Sequence, residues 1–177
     1  MDKIISLDYY LTNLFSKLIP HNQFFNYFFS FFSLKGSFIF IWLLVMFIVL
    51  ILEERKNPGI TKQDKKFIFI FSASFLLTFL LSDIVLKNIF MRFRPLLGSI
   101  SCPHDFSFPS THAATAFAAA TILAYFDKKR CWFYYIVAIL ISYSRIYLGC
   151  HYFFDVLVGG LLGLIISKII LIQKCWK

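Results

Sequence analysis

"KKFIFIFSASFLLTFLLSDIVLKNIFMRFRP", residues 65–95, opens on two lysines and closes on a basic cluster ended by proline. Between Phe67 and Phe90 only Asp83 and Lys87 are ionisable. A hydrocarbon core about 30 Å thick takes about 20 predominantly apolar residues in helical form, so this stretch is predicted to cross a membrane. Asp83 and Lys87 are four apart near one end of it, on one helix face, which predicts a structural ion pair. Ionisable groups at a bilayer are expensive and default to a functional hypothesis.

The rest of the chain has the same character. Of 177 residues, 59% are hydrophobic and 20% aromatic, 24 are Phe, and only 15% are charged, far outside the soluble range. Apolar segments at 36–52, 67–90, 112–126, 132–148 and 152–172 are five predicted spans, the shorter ones completed by interfacial residues. The stretch 24–32 is too short to cross alone. It is interfacial, or it joins the residues before it as a sixth span, and both readings stand at this stage. Ahead of it Ile4, Ile5, Leu7, Leu11, Leu14 and Leu18 recur at helical spacing among Asp2, Lys3, Asp8 and Asn13. That pattern predicts an amphipathic helix on the membrane surface, not a cleavable signal. The expected fold class is therefore all-α: a polytopic membrane helix bundle of five to six spans, one domain over 1–177, with 1–34 as an amphipathic or interfacial segment.

Basic residues gather between spans, at Arg55, Lys56, Lys62, Lys65 and Lys66, at Lys128, Lys129 and Arg130, and at Lys174 and Lys177. Alternation puts these groups on one face, which the positive-inside rule makes cytoplasmic. Topology and lipid headgroups thus account for the formal charge of +9, and no nucleic-acid partner is expected. The loops around 94–110 and 145–151 then share the extracytoplasmic face of the plasma membrane. Cys102, Cys131, Cys150 and Cys175 form no C-x-x-C pair and have no histidine at zinc-finger spacing, so no metal site is expected. Cys102 and Cys150 both fall on the extracytoplasmic side, where a disulfide is permitted, although nothing in the sequence sets their separation. Two small-residue seams, His112-Ala116-Ala120-Ala124 and Gly159-x-x-x-Gly163, read as helix packing. No internal duplication of the kind transporters carry is present.

Three clusters hold the unusual residues: "KNIFMRFRP" (87–95), "PSTH" (109–112) and "SRIYLGCHYFFD" (144–155). His151 and Asp155 are four apart, so on a helix the carboxylate can accept from Nδ1–H and leave Nε2 as a nucleophile. Lys87, Arg94 and Arg145 are three cations able to converge on a tetrahedral oxyanion, and guanidinium forks suit phosphate. Ser110 offers a hydroxyl, and the free N–H groups where the His112 helix begins offer an anion cradle. His112 can protonate a leaving oxygen and then activate water. Singly, each residue has an ordinary role as a cap or a snorkelling side chain. Two histidines, three cations and a carboxylate on one face do not.

The pattern K-x6-R-P, then P-S-x-H, then S-R-x5-H-x3-D resembles the type 2 phosphatidic acid phosphatase superfamily, membrane lipid phosphatases related to vanadium haloperoxidases. The match runs from Lys87 through Arg94-Pro95 and Pro109-Ser110-Thr111-His112 to Ser144-Arg145, His151 and Asp155. The resemblance implies two-step, metal-independent phosphoryl transfer without a cofactor. It makes His151 the nucleophile, Asp155 its orienter and His112 the general acid. Lys87, Arg94, Ser110, Thr111 and Arg145 are then the phosphate-binding groups. The family commonly has Gly where this chain has Thr111, which keeps the N–H but with less backbone freedom. Undecaprenyl diphosphate is the substrate that the resemblance favours, with phosphatidylglycerol phosphate, phosphatidic acid and lipid A phosphates as alternatives. An inactive lipid-binding membrane protein is the alternative of another class. His104 and Asp105 read as solvated loop residues.

Overall fold

Inside hydrocarbon no water satisfies backbone N–H and C=O groups, so apolar runs of this length must close their hydrogen bonds internally. The computed structural model, which describes residues 2–33, 37–54, 61–95 and 102–175, does so with seven helices. They are α1 (Asp2–Ser16), α2 (Gln23–Ser33), α3 (Ser37–Glu54), α4 (Lys62–Phe90), α5 (Thr111–Phe126), α6 (Cys131–Tyr147) and α7 (Phe153–Cys175). Every expected span has its helix, and the 24–32 stretch is a helix of its own. Of the residues singled out in the sequence, Gly36, Arg55, Lys56 and Lys177 lie outside the described residues. Lys62–Phe90 and Phe153–Gln173 are long and apolar enough to cross a membrane alone, while Phe40–Ile51 and Thr111–Phe126 are shorter apolar helices.

Local chemistry sets the helix ends. Thr61 and Asp64 cap α4 reciprocally: Asp64 N donates to Thr61 Oγ1 at 3.2 Å, and Thr61 N donates to Asp64 Oδ2 at 2.8 Å. At its far end α4 widens into a π-type stretch over Leu80–Leu86 and stops at Met91, which takes a left-handed φ of 46°. After α6, Gly149 turns the chain with φ 69°, a conformation that glycine adopts without a Cβ clash.

The Ala/Thr-rich α5 is the hub. Thr111 to Ala116 and Ala118 to Leu123 are all buried, so the helix keeps no lipid-facing stripe along that length. Its apolar half packs with Trp42 of α3, Phe67, Ile70 and Phe71 of α4, Tyr134, Val137, Ala138 and Ile141 of α6, and Leu171 of α7. Against α7 the backbones themselves meet: a Cβ on Gly163 would overlap the Ala114 carbonyl oxygen, and one on Gly159 would come within 2.5 Å of the Ser110 carbonyl oxygen. The Gly159-x-x-x-Gly163 seam thus meets α5 on Ser110, Ala114 and Ala118, a face other than the His112-Ala116-Ala120-Ala124 seam of the sequence, whose Ala116 and Ala120 pack in the apolar core instead.

One end of the bundle gathers Val49 and Leu50 of α3, Asp64 and Phe67 of α4, Phe126 and the Lys128–Arg130 turn around one cavity. The opposite end brings together the exit of α4, the start of α5, the exit of α6 and the start of α7. There α1 contacts the start of α7, with Ile4, Ile5, Leu7 and Leu14 exposed and Asp8 buried.

Candidate active site

The widened turn of α4 places Asp83 against Lys87, Oδ1 to Nζ 2.5 Å, as their spacing predicts. The same Asp83 oxygen accepts from Thr111 Oγ1 at 2.9 Å, so the hydroxyl that stands where the family commonly has Gly ties α5 to α4. Lys87 is 5% exposed, and its ammonium also contacts the Asp105 carboxylate. Asp105 is therefore not the merely solvated residue its loop position suggests. It also receives Arg94, Nη2 to Oδ1 at 2.6 Å and Nε to its carbonyl at 2.9 Å. Burial would raise the Asp105 carboxyl, but the ammonium and guanidinium outweigh it and bring its pKa down to about 2. His104 is exposed.

The turn after Gly149 is held by Cys150 N and His151 N, which donate to the Arg145 carbonyl at 2.9 and 3.2 Å. Cys102 and Cys150 form a disulfide with Cα atoms 5.3 Å apart, clamping the loop before α5 onto this turn. From the other side Arg94 Nη1 donates to the Cys150 carbonyl at 2.8 Å and meets His151 Nε2 at 2.9 Å. A guanidinium can only donate, so Nε2 is the acceptor and the imidazole proton sits on Nδ1. Burial, then the charges of Arg94, Arg145 and Lys87, hold the His151 pKa well below its usual value, so the ring is neutral.

Asp155 lies behind that ring. Its Oδ2 is 3.6 Å from Nδ1, longer than a hydrogen bond, because both oxygens are engaged elsewhere. Oδ2 accepts from Tyr152 N at 2.9 Å and Oδ1 from Arg92 Nη1 at 2.7 Å. Ser110 N donates to the Asp155 carbonyl at 2.9 Å, which joins the start of α5 to the first turn of α7. His112, buried in the first turn of α5, stands among Arg145, His151, Lys87 and Arg94.

Arg145 is fully buried at the end of α6. Its Nη1 donates to the Ser33 carbonyl at 2.9 Å and contacts the Ser33 hydroxyl, holding the end of α2, while Nε and Nη2 have no partner among the described residues. Ser110 Oγ is likewise buried and without a partner among those residues. Unsatisfied donors at zero exposure cost free energy that an incoming anion would recover. All eight residues singled out in the sequence, Lys87, Arg94, Ser110, Thr111, His112, Arg145, His151 and Asp155, thus belong to this one end.

Three residues of the site escape the motif reading: Asp105, Arg92 and Asp8. Arg92 bridges Asp155 and Asp8, with Nη2 at 2.6 Å from Asp8 Oδ2. The available signals were weak ones: a second arginine two residues before Arg94, and an acid four residues before Thr12 on an amphipathic helix. Beside the site a cavity of about 1,070 Å³ opens among α1, α2 and the turn after α6, lined by Tyr9, Asn13, Lys17, His21, Gly149 and Tyr152.

A model of the PAP2 superfamily matches residues 65–176. An undecaprenyl-diphosphatase of Sulfolobus acidocaldarius is 33% identical over 162 residues, 85% of this chain and 72% of that protein. Among solved structures, Aquifex aeolicus LpxE superposes with TM-score 0.68 at 30% identity, covering 93% of this chain and 94% of that one. A transmembrane PAP2-type phosphatidylglycerolphosphate phosphatase of Bacillus subtilis superposes with TM-score 0.66 over 96% of this chain and 85% of that one. At 24% identity this second likeness speaks for the fold alone.

Proposed function

The chain belongs to the PAP2 superfamily of membrane phosphatases, and from that premise we propose that it hydrolyses a lipid diphosphate or monophosphate through a phosphohistidine, without a metal, with undecaprenyl diphosphate as preferred substrate. The observation that carries this reading is the 2.9 Å contact between Arg94 and a neutral His151 Nε2, which sets a nucleophile beside an anion-binding cation.

Phosphoryl oxygens displace the Asp105 carboxylate from Lys87 and Arg94, take over the Arg94 Nη1–H that Nε2 of His151 accepts and so free its lone pair, and take the donors of Arg145, Ser110 and the Thr111 backbone. The Nε2 lone pair forms a bond to phosphorus as the bond from phosphorus to the leaving oxygen breaks, and His112 gives that oxygen its proton. Asp155 stabilises the positive charge that develops on the His151 ring. In the second half, water attacks phosphorus, the N–P bond breaks, His112 takes the proton, and inorganic phosphate leaves.

The extracytoplasmic placement of the site rests on the basic residues gathered at the other end and on the disulfide, which persists in oxidising compartments. In this orientation α2 and α3 together cross once, and α4, α5, α6 and α7 once each. Reaction of a Lys17→Cys variant with an impermeant maleimide in intact cells tests it; labelling only after permeabilisation would invert the topology.

The activity is tested by phosphate release from undecaprenyl diphosphate, phosphatidylglycerol phosphate, phosphatidic acid and lipid A, in detergent with EDTA, beside His151→Ala. Release that survives EDTA and vanishes in the variant is expected. A metal requirement, or turnover by His151→Ala, would overturn the mechanism. No release from any lipid would favour an inactive lipid-binding protein.

A further inference from the structure

We infer that Asp8, on the N-terminal helix α1, is a positioning residue for the reacting pair, acting through Arg92 on Asp155. The helix lies ahead of the residues that the superfamily model matches, so a part of the machinery comes from outside that stretch. The inference rests on the assignment of His151 as nucleophile.

Asp8 is 2% exposed, and a buried carboxylate needs partners for both oxygens. Oδ2 binds Arg92 Nη2 at 2.6 Å, and Oδ1 accepts from Phe154 N at 2.9 Å. One turn on, Thr12 Oγ1 accepts from Phe153 N at 2.9 Å. Those two N–H groups open α7 and have no partner within their own helix, so α1 caps α7 from outside. Tyr9 adds a hydroxyl contact of 3.2 Å to Tyr152, and Phe15 stacks near Phe153 with centroids 4.9 Å apart. The helix is thereby seated on the turn between His151 and Asp155.

Arg92 sits on the segment after α4, with its guanidinium 4.0 Å over the Tyr152 ring. Its two ion-pair partners are Asp8 and Asp155, one at each terminal nitrogen. This bridge fixes Oδ1 of Asp155 and so fixes where Oδ2 points, towards the His151 ring. Charge matters as much as geometry. Arg92 alone would neutralise Asp155 and weaken its hold on an imidazolium; with Asp8 present, the array of two carboxylates and one guanidinium keeps one net negative charge behind the ring.

The test is a double-mutant cycle of Asp8→Asn and Asp155→Asn, with His151→Ala in parallel, on the panel lipid of highest turnover. Asp8→Asn keeps an oxygen for Phe154 N–H but loses the charge. It should lower kcat about tenfold to a hundredfold with KM within about threefold, as outer partners of an oriented imidazole do. Its acid limb in kcat/KM should move to lower pH, because less negative charge faces His151, and Asp8→Glu should restore part of the rate. In the Asp155→Asn background Asp8→Asn should change nothing further. Wild-type turnover in Asp8→Asn, or a loss that adds in full to that of Asp155→Asn, would overturn the inference. If Asp8→Asn melts as an undocked protein, Arg92→Gln replaces it in the cycle, with the same non-additivity expected. Activity in His151→Ala would instead defeat the mechanism on which the inference rests.

Discussion

From Ala116 to Leu123 α5 is packed into apolar neighbours, whereas its first turn, from Ser110 to His112, is buried beside cations, carboxylates and a second histidine. The two regions belong to one helix and are equally inaccessible, yet they are held differently. The apolar half depends on volume and on how closely two backbones approach, and it tolerates exchanges that conserve both. The charged end depends on complete pairing, since removing one partner strands another in a low dielectric. Fold and function should therefore separate by position along the same element.

The largest effect is expected where the backbones touch. Gly163→Val drives side-chain atoms into the Ala114 carbonyl and should cost more than about 5 kcal/mol, beyond ordinary overpacking. Thermal unfolding in detergent measures it; a midpoint within about 2 °C of wild type would mean that α5 and α7 can part without loss. Next comes the clamp on the charged end. The Cys102–Cys150 bridge closes a separation of 48 residues, worth about 4 kcal/mol on the chain-entropy account. The double variant Cys102→Ser/Cys150→Ser should lose stability on that scale and lose activity too, since Arg94 and His151 meet at Cys150. Unchanged kcat would show that the charged end aligns itself without the clamp.

The smallest effect is pH-dependent and belongs to the charged end alone. Above a pH of about 6.5, the ordinary histidine value, His151 is neutral whether the chain is folded or not. Below it the unfolded chain takes up a proton that the buried ring refuses, because the folded pKa is depressed. Stability therefore falls as pH drops from about 6.5 towards the folded value, by up to about 1.4 kcal/mol per pH unit. His151→Gln should flatten that slope between pH 7 and 5, and an unaltered slope would assign it to other groups.

The helices were readable because hydrocarbon leaves the backbone no alternative, and their boundaries at 67–90 and 152–172 fall close to the observed Lys62–Phe90 and Phe153–Cys175. Lys87 with Asp83 follows from four-residue spacing on one helix, whereas His151 stands on the turn before α7 and approaches Asp155 only to 3.6 Å. Contacts between distant segments were not readable in the same way. Asp105 reaching Lys87 and Arg94, Arg145 spending a donor on Ser33, and Arg92 joining Asp8 to Asp155 depend on how loops and the N-terminal helix are seated.

The amino-acid sequence by itself determined that this chain is helical, apolar enough to enter a membrane and marked by the three motifs through which it resembles the PAP2 superfamily, since hydropathy, periodicity and motif spacing are local properties. Only the tertiary structure decided which oxygen each cation holds, that Arg94 meets Nε2 of His151, and that α1 contacts the first turn of α7. Those outcomes depend on distances between groups far apart in the chain, and electrostatic and hydrogen-bond energies change steeply over an ångström once water is excluded.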